Sequence, residues 1–343
     1  MIVFIKQVLT YNNEMYILGI ESSCDDTGLA IVDSKGEVVD YVTSSQHEIH
    51  AKYGGIVPEL ASRDHVKKFI PLLNVLLQKS KKTIKDIDMI AFTNGPGLLG
   101  PLLAGASLSK ALAWCNQIPA IEVNHLEAHI YSPMITEKSL EPPFISLLVS
   151  GGHTILSLVD KDFGIRNLGS TLDDSAGECF DKVARKLGLG YPGGPEIAKK
   201  SESAFHSCFS FPRPMLKSNN FNFSFSGLKT HVINTINEIE LTEQNINNIS
   251  YELQNAIVDT LIHKSVKASE EFNIKNIVVT GGVSANKKLR EKFSSVKQKN
   301  TYFPDVKFST DNGAMIAFAG FLKYKSIDIK ENFKIKPNPS LAL

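Results

Sequence analysis

Two stretches of this chain repeat one pattern: ILGIESSCDDTGLAIVD from Ile17, and ISLLVSGGHTILSLVD from Ile145. Each reads as a strand, a small polar turn carrying Ser and Thr, and a second strand that closes on Val-Asp. After the first hairpin the residue pattern predicts a third strand over 37–43, a helix over 58–78, a strand over 88–93, a helix over 100–115, and a further strand and helix between 118 and 134. The second hairpin is followed by predicted helices over 175–187, 195–201, 227–239 and 250–272, a buried strand over 274–280, and helices over 285–293 and 313–324. Hairpins that give way twice to alternating strands and helices predict an α/β chain of two mixed lobes with a cleft between them. With the crossing placed near Pro142-Pro143, the expected segments are an N-terminal extension (1–14), a first lobe (15–141), a second lobe (142–326) and a C-terminal tail (327–343).

A chain of 343 residues with 43% hydrophobic content can bury the cores of two such lobes. No apolar run approaches the roughly 18 to 20 residues of a membrane span. The opening MIVFIKQVLTYNNE has neither a signal-peptide cleavage pattern nor arginines, so the expectation is a cytoplasmic protein that does not engage a membrane. Cys24, Cys115, Cys179 and Cys208 are widely spaced, without a C-x-x-C pair, and read as reduced, mostly buried thiols. The net charge is only +1, so any contact with nucleic acid must rest on local patches.

NHLEAH, residues 124–129, puts His125 and His129 four apart on a predicted helix. At that spacing both imidazoles share one face and could ligate one ion, though paired surface histidines give the same pattern. A zinc protease would need its glutamate directly after the first histidine. Glu127 stands two places on, about 200° around a helix, and points away.

Three small-residue loops suit phosphate oxygens. SSCDDT and SGGHT are tight turns whose backbone N–H groups are sterically open, although either alone is an ordinary hairpin turn. TGGVSAN ends a buried strand and opens a helix, where the positive helix end favours an anion or a purine edge. Together they suggest a nucleotide in the cleft, as in actin-like and sugar-kinase folds.

Nine blocks in order, GIESSCDDT, YGGIVPELASRDH, NGPGLLG, NHLEAH, LLVSGGHT, GECFDKVARKLGLGYPGGP, FSFSGLKT, TGGVSAN and TDNGAMIA, resemble the tRNA threonylcarbamoyladenosine transferase (TsaD) family from Met15 onward. The resemblance implies two duplicated ribonuclease-H-like lobes of the actin-like ATPase superfamily. It implies transfer of a threonylcarbamoyl group from threonylcarbamoyl-AMP to N6 of adenosine 37 in tRNAs that read ANN codons. It further implies one divalent metal ion, iron or zinc, held by His125, His129 and Asp311. The adenylate would be bound by Leu148, Val149, Ser150, Gly151, Gly152, Asp181, Gly194 and Asn286. Partners implied are tRNA, a paralogous actin-fold chain and a small P-loop ATPase. Two departures stand out: Ala198 replaces a common acidic residue, and Ala128 replaces a common glycine.

Asp25 and Asp26 are the candidates for taking the N6 proton, with shaping of their turn as the alternative role. Candidates for tRNA phosphates are Lys67, Lys68, Arg213 and Lys229, and Phe223 and Phe225 are either base-stacking rings or core residues. The alternatives to the transferase are an actin-fold small-molecule kinase, which gives two His and one Asp no task, and a silent nucleotide-binding scaffold, which would not need the triad.

Overall fold

The structure, a computed structural model, describes residues 15–204, 209–326 and 334–343. The expected N-terminal extension, Cys208 and the start of the tail lie outside them. In chain order the elements are β1 (Tyr16–Glu21), β2 (Asp26–Asp33), β3 (Val38–Ser45), α1 (His47–Ala51), α2 (Pro58–Ser80), β4 (Met89–Gly95), α3 (Leu99–Asn116), β5 (Ala120–Asn124) and α4 (His125–Tyr131). There follow β6 (Phe144–Val149), β7 (Thr154–Val159), β8 (Ile165–Ser170), α5 (Ala176–Lys186), α6 (Gly193–Ser201), α7 (Ser226–Glu238), α8 (Glu243–Glu271), β9 (Asn276–Thr280), α9 (Lys287–Ser294), β10 (Asn300–Tyr302) and α10 (Gly313–Ser326).

The duplication is visible in the sheets. One is ordered β3-β2-β1-β4-β5 and the other β8-β7-β6-β9-β10. In both, the first three strands are antiparallel and the next two join in parallel. The central strands are covered on both faces, so β4 is buried along its whole length and β6 likewise. Helix α2 buries Ala61, His65, Phe69, Leu73 and Leu76, the spacing of a single helical stripe laid on the first sheet.

Two compact units result. One holds the described residues up to Thr136 together with those from Thr310 onward, and the other is Glu137–Ser309. Assigning residues 310–326 to the second lobe follows chain order, but α10 packs on β1, β2 and β4 of the first sheet. Three glycines make this possible. A Cβ on Gly19 would lie 2.2 Å from the Gly313 carbonyl, one on Gly28 2.6 Å from the Gly313 nitrogen, and one on Gly313 2.5 Å from the Ala30 nitrogen. The helix therefore meets the sheet backbone to backbone, and Ala314, Met315, Ile316 and Ala317 are fully buried there.

Two edge strands escape the sequence pattern. β8 is largely polar and half exposed, and β10 has three residues, so each exists through pairing and not through apolar alternation. Helix α8 starts at Glu243, ahead of the predicted residue 250, because Thr242 caps it and its first turns bury Asn247 and Asn248 instead of apolar residues.

Since nothing flexible can yield at the α10 contact, Gly19→Val should destabilise the protein by at least the ~1–3 kcal/mol typical of overpacking. Urea unfolding of the full chain checks this. Unchanged stability would mean that α10 can stand further off the sheet.

Candidate functional site

In the first unit, Asn124 ends β5 and caps α4: its side-chain oxygen accepts from the amides of Leu126 (2.8 Å) and Glu127 (3.4 Å). This fixes the start of a helix of only seven residues, with His125 in its first position and His129 one turn later. Their rings lie 4.6 Å apart at 88°, both nearly buried. Asp311 reaches them from the residues just before α10. Its Oδ1 is 2.9 Å from His129 Nε2 and 3.7 Å from His125 Nε2. The three side chains offer donor atoms within 4.8 Å of one another, two imidazole nitrogens and a carboxylate oxygen, a set that suits a divalent transition metal. Glu127 points elsewhere, to an ion pair with Lys323 at 2.8 Å, and Ala128 is fully buried in the helix packing.

The sequence reading missed Glu21. It is completely buried at the end of β1, where its carboxylate accepts from the Ser23 amide, from Thr93 Oγ1 (2.6 Å) and from His125 Nδ1 (3.1 Å). With Nδ1 donating to Glu21, His125 presents Nε2 to Asp311, the arrangement in which an outer carboxylate fixes the ring and tautomer of a metal ligand. Burial alone would push the His125 pKa down, but Glu21 and then Asp311 carry it up to about 9. A glutamate buried in an apolar strand, aligned with a histidine pair elsewhere, leaves no pattern in the sequence.

The turn after β1 is held from behind by His65, whose Nε2 lies 3.0 Å from the Cys24 carbonyl and whose Nδ1 lies 2.7 Å from Thr27 Oγ1. Burial lowers the pKa of this ring and favours its neutral form, in which Nε2–H donates to the carbonyl and Nδ1 accepts from the hydroxyl. On that turn burial, and next the charge of Asp311, raises Asp25 and brings Asp26 up to about 7. Asp26 Oδ1 is buried without a hydrogen-bond partner. Burial also pushes the Cys24 thiol well up, so it is no nucleophile at neutral pH. Among the described cysteines Cys24, Cys115 and Cys179 are free thiols, with Cys179 buried, Cys24 half-buried and Cys115 exposed.

In the second unit the loops gather around the end of β6 and the start of α5. Leu148 and Val149 are buried strand residues that place the turn without offering it a polar group. Ser150 N donates to the His153 carbonyl (2.8 Å) and Ser175, the cap of α5, donates to the Gly151 carbonyl (2.6 Å). A Cβ on Gly151, Gly152, Gly194 or Gly282 would enter open space, so these backbones are accessible to a ligand. Asp181 is neither exposed nor paired with Lys182. Its carboxylate accepts from Gly193 N (2.6 Å), fixing the start of α6, and burial raises its pKa. Asn286 caps α9 through Leu289 N (3.0 Å) and donates to Gln254 Oε1 (2.7 Å), a residue that also binds Ser201 (2.8 Å) and that the sequence did not single out.

The tRNA candidates fare differently. Phe223 and Phe225 are fully buried, so they belong to the core and do not stack on bases. Lys229 pairs with Asp174 at 2.7 Å, and Arg213 is engaged by Asp259 (2.8 Å) and Glu252 (3.0 Å), which leaves neither charge directed at a phosphate. Lys68 pairs with Asp64, whereas Lys67 is exposed on α2.

Comparison with known proteins gives the family and the fold. Residues 37–318 match the family model of TsaD, tRNA N6-adenosine threonylcarbamoyltransferase. A tRNA N6-adenosine threonylcarbamoyltransferase of Ralstonia pickettii is 48% identical, covering 91% of this chain and 92% of its own length. One of Chromobacterium violaceum is 46% identical over 96% of this chain and 98% of its own. The fold is shared at low identity with nucleotide-bound HypF (TM-score 0.62, 15% identity, 91% of this chain and 55% of that one). It is shared also with the Clostridium difficile activator of 2-hydroxyisocaproyl-CoA dehydratase (TM-score 0.55, 13% identity, 91% and 96%). No described helix is long and apolar enough to cross a membrane.

His125→Ala should abolish transition-metal binding without unfolding the chain, and Glu21→Gln should weaken it by roughly 10–100-fold, the range for outer partners of metal ligands. The amide of Gln cannot accept from Ser23, Thr93 and His125 together. Elemental analysis and competition with a chromophoric chelator measure both. Full occupancy in His125→Ala would remove the metal assignment.

Proposed function

The chain belongs to the tRNA N6-adenosine threonylcarbamoyltransferase family, and on that premise we propose how its residues divide the reaction. The enzyme transfers the threonylcarbamoyl group from threonylcarbamoyl-AMP to N6 of adenosine 37 in tRNAs reading ANN codons and releases AMP. The donor is a carbamic–phosphoric mixed anhydride, so its carbonyl is already activated. The N6 amine is the weak partner, because its lone pair is delocalised into the purine. Catalysis then rests on placement of N6 and on stabilising developing charge.

The observation that carries the reading is the convergence of His125, His129 and Asp311 on one point. These residues would hold iron or zinc, which when bound supplies a Lewis acid that orients a threonyl oxygen. Glu21 keeps His125 turned for that task. In the second unit, the amides of Gly151 and Gly152 receive the leaving phosphate, and Gly194, Asp181 and Asn286 shape the nucleoside pocket. Asp26 takes the N6 proton, supported by its burial and its unpartnered oxygen, while Asp25 assists on the same turn. A base works deprotonated, so its raised pKa means that the rate falls as pH drops through about 7. A cation that neutralises Asp311 moves this limb to lower pH.

The partners we assign are a paralogous actin-fold chain and a small P-loop ATPase, acting in the cytoplasm. Two adjacent helices support the first assignment: α2 exposes Val66 and Ile70, and α3 exposes Leu99 and Leu103, each an i,i+4 apolar pair.

Mass spectrometry of tRNA nucleosides after depletion of the protein tests the whole reading, with loss of threonylcarbamoyladenosine as the expected result. Gly151→Val should weaken AMP binding at least tenfold while Ser294→Val, on the exposed end of α9, leaves it unchanged; equal dissociation constants would reduce SGGHT to a turn. Asp26→Asn should lower the transfer rate and remove the acidic limb of its pH profile. Retention of that limb would assign the base elsewhere.

A further inference from the structure

Residues 334–343 lie along the surface of the first unit and meet the ends of two of its strands. The Asn338 amide donates to the Asn94 carbonyl (2.7 Å) and the Gly97 amide donates to the Pro339 carbonyl (3.1 Å), both on the loop that ends β4. Asn124 Nδ2 donates to the Ala342 carbonyl (2.8 Å) at the end of β5. The segment is also shaped from within, since Ser340 N donates to Asn338 Oδ1 and Leu341 N to the Asn338 carbonyl, both at 3.1 Å. This is an asparagine-built turn.

Apolar burial does not account for its placement. Asn338, Pro339, Ser340 and Ala342 are exposed, and Leu341 is half-buried. Close backbone approach does. At Gly95, with φ at +150°, a Cβ would stand 1.9 Å from the Asn338 carbonyl, so the loop has no side chain where the segment crosses it. On its far side the same loop is tied to the turn after β1, with Leu98 N donating to the Ser23 carbonyl (2.8 Å).

Asn124 is the point where this segment reaches the histidines. Its oxygen caps α4 and its amide nitrogen is held by Ala342. In a seven-residue helix the cap decides where the first turn stands, and both His125 and His129 are set by that turn. We propose that residues 338–342 form a positioning strap for the metal ligands, acting through Asn124. The proposal rests on reading His125, His129 and Asp311 as the metal site.

The test uses Co(II) with the full chain, a chain ending at Lys336, Asn124→Ser and His125→Ala. Serine still caps the helix but cannot reach as far as the asparagine amide, so it separates capping from the strap. The dissociation constant comes from chelator competition and the ligand field from the visible spectrum of bound Co(II). A role through the strap predicts that the truncated chain and Asn124→Ser bind Co(II) about tenfold or more weakly. Their spectra should be altered and their AMP affinity should be that of the unmodified chain. Wild-type Co(II) affinity and spectrum in both variants, beside lost binding in His125→Ala, overturns the strap. Failure of the unmodified chain to bind Co(II) overturns the metal reading and the strap with it. Should the truncated chain not fold, Asn124→Ser decides alone by the same outcomes.

Discussion

Asp311 belongs to the histidine site because α10 can touch the first sheet without side chains between them. The approach of Gly313 to Gly19 and Gly28 sets the depth of the helix start, and Asp311 lies two residues ahead of it. A Cβ at any of these glycines would collide with the facing backbone and press that end of the helix off the sheet. The site thus depends on the spacing of two backbones, and its chemistry is fixed by residues that themselves do none.

Charge balance around His125 follows from that placement. Glu21 is sealed from water, which costs a lone carboxylate heavily and alone would raise its pKa, yet the charge and hydrogen bond of His125, with the Ser23 hydrogen bond, hold that pKa below the usual carboxylate value and keep the group ionised. Asp311 adds a second negative charge on the other side of the ring, 3.7 Å from Nε2. The side chains around the histidines are therefore rich in carboxylate, with Asp25 and Asp26 close enough to feel Asp311. A divalent cation relieves that crowding as no neutral ligand would, an electrostatic argument separate from the ligand geometry.

Much of the fold was legible because its signals are local. The repeated hairpins, the stripe Ala61–His65–Phe69–Leu73–Leu76 and the spacing of His125 and His129 each fit within one or two elements. What could not be read needed contacts across long sequence gaps. Glu21 looks like any polar residue at a strand end until Thr93 and His125 arrive beside it. The glycine contact that moves α10 into the first unit joins residues almost three hundred positions apart. Lys229 reads as a tRNA contact and Phe225 is left open between base stacking and the core, because neither the partner Asp174 nor burial in the second core has a signature in the surrounding residues. The His-His-Asp set was named from family likeness, and its convergence is a geometric fact of the first unit.

The two sheets share one strand order, so the difference between their sites must lie in the loops. After β1 the hairpin turn carries carboxylates, and after β6 the corresponding turn carries Gly151 and Gly152. The next equivalent positions diverge as well. The loop that ends β4 is covered by residues 338 and 339 and tied to Ser23, whereas the loop after β9 leaves Gly282 facing open space. A turn lined with acids and backed by a covered loop favours a cation; a turn of bare amides beside an open loop favours an anion. Two sheets of one strand order thus carry different residues at equivalent strand ends, and those residues give the ends opposite electrostatic preferences.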